Sequence, residues 1–128
     1  MIVDSSAVVA LVMREPEWKP IFQKLVAEEH VGIGTPTLVE TGIVLAARIG
    51  SDPRGLLARI LQEFEIVEVP FGESHWRTAV DAFLRYGKGR HPAALNFGDC
   101  LSYSVAKLAG RPILCKGNDF ARTDLDCV

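Results

Sequence analysis

The chain has little surplus charge of either sign. Its 128 residues carry 14 Lys and Arg against 16 Asp and Glu, a net charge of −2. Proteins that grip nucleic acid by bulk charge are basic, so any such grip here is local. Cysteine is scarce as well: Cys100, Cys115 and Cys127 are odd in number and have no C-x-x-C spacing. That argues against a disulfide framework and suggests reduced, mostly buried thiols of a cytoplasmic protein. No His or Cys stands at ligand spacing, which disfavours zinc. The apolar opening MIVDSSAVVALVM has no basic n-region, carries Asp4 early and is too short to span a bilayer, so no membrane association is expected. Linkers, repeats and low-complexity stretches are all lacking, and the length suggests one domain over residues 1–128.

What is present is an apolar fraction of 48%, enough for a sizeable core with a surplus for a partner surface. Short β-branched stretches alternate with helical ones. MIV, VGI at 31–33, EIVEV and PILC read as strands, and Leu125 to Val128 as a short edge strand. Helices are expected over 6–13, capped by Ser5 or Ser6, and from Pro16 or Pro20 with Trp18, Ile21, Phe22, Leu25 and Val26 at helical spacing. Others are expected from Thr35 to Gly50, from Pro53 to Phe64, from Ser74 with Trp76, Val80 and Phe83 inward, and over 98–109 up to Gly110. The segment RYGKGRHPAALN reads as a loop and GNDF as a turn. This alternation predicts an α/β fold with a mainly parallel sheet of four to five strands and helices on both faces. Sites in such folds lie at the carboxyl ends of the strands, within reach of Asp4 and Asp119.

Three acids are isolated in apolar surroundings. Asp4 is the only charged side chain in residues 1–13, Glu40 the only one between His30 and Arg48, and Asp99 the only one from Pro92 to Ala106. Glu40 shares a helical face with Ile43, Val44 and Ala47, which reads as an inward face. A single such acid is usually a cap or an ion-pair partner. Three without matching buried Lys or Arg would repel and take up protons, a conflict that a hard divalent cation held by carboxylate oxygens resolves.

The stretches MIVDSSAVVAL, TLVETGIVLA, LNFGDCLSYSVAK and ILCKGNDFARTDL resemble, in order and spacing, the PIN-domain ribonucleases, and within them the VapC toxins of toxin–antitoxin pairs. The resemblance runs over essentially the whole chain and is most specific in GRHPAALNFGDCLSYSVAK. It implies a three-layer α/β/α fold. It also implies a Mg²⁺ site, with Mn²⁺ as substitute, in which Asp4, Glu40 and Asp99 match the three acids and Asp119 the more variable fourth. Whether Asn118 or Asp119 faces the metal stays open. Asp4 and Asp99 would be direct ligands, Glu40 would bind a second metal or a metal water, and Asp119 would act from further out. The substrate implied is single-stranded or looped RNA, cleaved by water to a 5′-phosphate and a 3′-hydroxyl. The partners implied are a VapB-like antitoxin that blocks the acidic site and a second copy of the chain.

Beside the acids, Ser5 and Ser6 could touch a phosphate or simply cap a helix, and Asn96 reads as a local cap. Arg85, Lys88, Arg90 and His91 form a basic stretch that could grip RNA phosphate. Asp81 lies four residues from both Arg77 and Arg85 and reads as a surface ion-pair residue. Trp18 and Trp76 fit a core or an interface. Three rival readings stand. A receiver domain with a phospho-accepting Asp could use Lys116, but DSS supplies no second acid and Glu40 is unexplained. A haloacid-dehalogenase-type phosphatase wants D-x-D, and residue 6 is Ser. A catalytically inactive PIN-like binding module has no need of all the acids.

Overall fold

Side chains alternate along the first strand: Met1 and Val3 enter one core, and Ile2 enters the other. The computed structural model describes residues 1–128 and builds everything around that strand. Four short parallel strands, β1 (Ile2–Val3), β2 (Gly32–Gly34), β3 (Val67–Val69) and β4 (Ile113–Leu114), lie in the order β3-β2-β1-β4. The helices are α1 (Ser5–Val12), α2 (Trp18–Ala27), α3 (Thr35–Ile49), α4 (Arg54–Glu63), α5 (Glu73–Tyr86) and α6 (Phe97–Ala109), and a 3₁₀ turn covers Asp119–Arg122. One core packs Val3, Ile33 and Leu114 under residues of α1 to α4. The other packs Ile2 and Ile113 under α5, α6 and Phe120. The result is the three-layer α/β/α arrangement expected from the alternation.

The fifth strand is reduced to a single bridge. Cys127 pairs in parallel with Ile113, and Val128 N–H donates to the Ile113 carbonyl at 3.0 Å. Gly50 and Gly110 end α3 and α6 with φ of 70° and 61°, the left-handed conformation that glycine tolerates best. Both stops were expected from the sequence.

Several orientations differ from expectation. Trp76, Val80 and Phe83 face outward on α5, at 50%, 52% and 41% exposure, and the inward face is Ala79, Ala82 and Tyr86. The helix α6 packs close against α5, and Ala79 and Ala82 allow that approach while Tyr86 fills the end of the contact. On α2, Ile21 and Leu25 are buried while Phe22 and Val26 are exposed. On α3, the buried line is Thr37, Thr41 and Leu45, while Ile43 is exposed and Glu40 half-buried. The face of Glu40 therefore borders an open groove rather than the core. Only Cys100 of the three thiols is buried. No helix is long and apolar enough to cross a membrane.

Candidate functional site

Asp4 and Asp99 sit where a helix begins, and Glu40 one turn into the helix that leaves β2. Asp4 follows β1 and is itself the N-cap of α1: its Oδ2 accepts from Ser6 N–H at 3.0 Å and from Ser6 Oγ at 2.6 Å. The cap is thus the acid, not Ser5 or Ser6, because an ionised carboxylate is the stronger acceptor for the free N–H groups of the first turn. Glu40 lies in the second turn of α3, the helix that leaves β2. Ser5 Oγ donates to its Oε1 at 2.5 Å. Asp99 occupies the third position of α6 and closes a reciprocal cap with Asn96. Asn96 N–H donates to Asp99 Oδ2 at 2.9 Å, and Asp99 N–H donates to Asn96 Oδ1 at 2.8 Å. Asp119 opens the 3₁₀ turn beyond β4 and is exposed, as is Asn118.

These positions bring the acids to one edge of the sheet. Burial first, and then the charges of Asp4, Asp119 and Glu40, push the Asp99 carboxyl up to about 6, against the pull of the Asn96 N–H. All four acids therefore share one electrostatic neighbourhood. The Glu40 carboxylate lies directly against Gly98, where a Cβ would collide with it. This close approach is what the glycine before Asp99 provides.

The donors that meet the acids are neutral. Asp4, Glu40 and Asp99 are met by hydroxyls and backbone N–H groups, never by Lys or Arg. Lys116, whose backbone N–H reaches Ser6 Oγ beside Asp4, turns its Nζ to Glu15 at 2.6 Å. That engagement also removes the lysine that a receiver-type reading would need. As the side chains stand, no three acid, His or Cys groups converge as a finished ligand shell. Asp4 and Glu40 turn to hydroxyls instead, and Asp99 to the Asn96 N–H. The donor chemistry still fits a hard divalent cation: clustered carboxylate oxygens, a raised carboxyl pKa and no neutralising cation. It does not fit zinc. Burial, then Cys127 and the acids, pushes the nearby Cys115 thiol up to about 12, and no His is among the hydrogen-bond partners of the acids.

Two hydroxyls that the sequence reading passed over belong to this site. Ser102 Oγ donates to Asp4 Oδ1 at 2.6 Å and is 1% exposed. Thr37 Oγ1 lies 3.2 Å from Ser102 Oγ and is equally buried. Their spacing was the available signal, since Thr37 lies three residues before Glu40 and Ser102 three after Asp99.

The basic stretch is less of a unit than expected. Arg85 belongs to α5 and stands 4.0 Å from both Asp81 and Asp124. Arg77 pairs with Glu73 rather than with Asp81. Lys88, Arg90 and His91 do lie in the turn before α6, with Arg90 over the Phe83 ring and His91 Nδ1 accepting from Ala93 N–H. Beside the acids runs an apolar groove lined by Pro36, Val39, Ile43, Val44, Phe97 and Leu101, with Glu40 in its wall. Phe97 is 80% exposed at its rim.

Comparison with known proteins gives the family and the fold. The PIN domain family model matches residues 1–125. The chain is 46% identical over 127 residues to ribonuclease VapC36 of Mycobacterium tuberculosis, covering 98% of this chain and 91% of that protein. It is 38% identical over 129 residues to ribonuclease VapC of Mycolicibacterium smegmatis, covering 100% of this chain and 99% of the relative. Among solved structures, M. tuberculosis VapC20, a sarcin-ricin loop cleaving toxin, superposes with a TM-score of 0.78 at 19% identity, over 99% of this chain and 97% of that one. A chain from a toxin-antitoxin complex of Klebsiella pneumoniae gives 0.70 at 16% identity, over 96% and 92%. At these identities the structural likenesses speak for the fold.

Proposed function

The chain belongs to the VapC ribonucleases of the PIN-domain family, and from that premise we propose how its residues carry the activity. It is a ribonuclease toxin of a toxin–antitoxin system, a hydrolase of RNA phosphodiesters. The observation that carries our reading of the site is the linkage of three acids with no Lys or Arg among them: Ser5 beside Asp4 donates to Glu40, Glu40 lies against Gly98 beside Asp99, and Ser102 on the helix of Asp99 donates to Asp4.

In this reading Asp4 and Asp99 hold Mg²⁺, or Mn²⁺ in its place. When bound, the cation supplies Lewis acidity, lowering the pKa of water and offsetting charge on the phosphate. Glu40, steadied by Ser5 and pressed against Gly98, orients a water or helps hold a second ion. Asp119, on the exposed turn, contributes from the rim. The N-terminal end of α6 favours an anion and faces the same edge, which suits an RNA phosphate. Water attack at phosphorus leaves a 5′-phosphate and a 3′-hydroxyl.

The partners we propose are the cognate antitoxin and a second copy of the chain. The apolar groove beside Glu40 suits an amphipathic segment of the antitoxin, and the acids suit an Arg fork from it. The outward apolar face of α5, with Trp76, Val80 and Leu84, is available to the second copy. We take residues 1–128 as a single domain. Mapping RNA 5′ ends in cells after brief induction tests the activity. New 5′-phosphate ends are expected with wild type and not with Asp99→Asn; ends common to both would contradict it.

A further inference from the structure

Beneath Asp4, two buried hydroxyls, one from the helix of Glu40 and one from the helix of Asp99, form a hydrogen-bonded chain that ends on its carboxylate. A carboxylate has no proton to give, so Ser102 spends its single proton on Asp4. The proton between Ser102 and Thr37 must then come from Thr37. The order is Thr37 to Ser102 to Asp4, and both hydroxyls are about 1% exposed. On the other side, Lys116 N–H donates to Ser6 Oγ at 3.0 Å, and Ser6 donates to Asp4 Oδ2. Each relay hydroxyl stands one helical turn from an acid: Thr37 carries the register of Glu40 on α3, and Ser102 that of Asp99 on α6. The relay therefore joins the three elements that bear Asp4, Glu40 and Asp99.

We infer that Thr37 and Ser102 are positioning residues, a buried relay that sets the mutual placement of the three acids and thereby the affinity of the site for a divalent cation. The inference rests on the metal reading above. Neither hydroxyl touches substrate, so its loss should weaken cation binding rather than the chemistry. Removing a group that orients a metal ligand typically weakens binding by roughly 10- to 100-fold. Thr41 supplies the control. It is as buried as Thr37, but its hydroxyl donates to the Thr37 carbonyl within α3 and lies outside the relay.

The test is calorimetric titration of the full chain with Mn²⁺, with thermal melts in parallel and RNA cleavage rates over a range of Mn²⁺. Ser102→Ala and Thr37→Val should each raise the dissociation constant about tenfold or more. Thr37→Ser should restore it, Thr41→Val should leave it unchanged, and cleavage at saturating Mn²⁺ should recover. Dissociation constants within twofold of wild type for Ser102→Ala and Thr37→Val, or an equal loss in Thr41→Val, would overturn the relay. Unfolding of both relay variants would overturn it too, by making the hydroxyls supports of the fold. Failure of wild type to bind Mn²⁺ would instead remove the metal reading itself, a result distinct from wild-type binding that only Asp99→Asn abolishes.

Discussion

Glu40 rests its carboxylate on the backbone of Gly98, leaving no room for a side chain there. Gly98 lies within α6, at no positive φ, so alanine suits its backbone and adds helix propensity of about 1 kcal/mol. Gly98→Ala should therefore keep or raise the melting temperature while displacing Glu40. Cleavage should fall about 100-fold, the scale of an ångström's misplacement. Kinetics and melts on the same preparation check this; a lowered melting temperature with unchanged cleavage would reverse the assignment.

The raised carboxyl of Asp99 has a cost in stability with a definite sign. Its pKa is near 4 in the unfolded chain and about 6 in the folded one, so the folded state holds more protons in between. Stability contributed by this group is present below pH 4 and is lost as pH rises through 6. At neutral pH the cost is at most about 3 kcal/mol. In EDTA, Asp99→Asn should unfold at higher urea than wild type at pH 7.5, and the advantage should shrink towards pH 4.5. An Asp99→Asn protein less stable than wild type at pH 7.5 would make Asp99 a structural partner.

Asp124 fastens the C-terminal tail to α6. Lys107 Nζ donates to its Oδ2 at 2.7 Å and the Tyr103 hydroxyl to its Oδ1 at 2.6 Å, and Lys107, then Tyr103, hold its pKa low. A lowered carboxyl pKa contributes stability above its unfolded value that is lost as pH falls through the folded one. Asp124→Ala should cost about 1–3 kcal/mol at pH 7, read by urea unfolding, because it also strands the Tyr103 hydroxyl. Specific activity of the folded fraction should not change.

The groove and the acids should separate in binding experiments. Ile43→Asp, at a 65% exposed position on the groove wall, should weaken antitoxin binding at least tenfold and leave RNA cleavage by the free chain intact. Co-purification with antitoxin at wild-type affinity would place the antitoxin elsewhere.

Much of the frame was legible in the sequence because its signals are local. Gly50 and Gly110 stop their helices, the β-branched stretches make strands, and the isolated Asp4 and Glu40 turn out to be charges that act on Asp99 in the fold. What was not legible depends on packing between elements. The face of α5 that turns inward is decided by how close α6 comes, so Ala79 and Ala82 win over Trp76 and Phe83. The face of Glu40 reads as apolar and inward, yet the apolar residues beside it line a groove. Ser102 and Thr37 look like ordinary polar interruptions of helices, and only the folded chain puts one beside the other and Ser102 against Asp4.

Growth in cells offers a coarse discrimination between site and surface. Expression of the chain alone should arrest growth, and Asp4→Ala or Glu40→Ala should relieve the arrest. Asp81→Ala should not, since Asp81 is exposed on α5 and only 4.0 Å from Arg85. Equal relief by Asp81→Ala at matched protein levels would point to general damage to the fold.

The most direct measurement is RNA cleavage by the purified chain before and after exhaustive chelation, with Mg²⁺ or Mn²⁺ then restored. The acids gathered around Asp99 predict cleavage that disappears in EDTA, returns with either cation and never appears in Asp99→Asn. Cleavage undiminished by chelation, or retained by Asp99→Asn, would contradict a catalytic metal site built from Asp4, Glu40, Asp99 and Asp119.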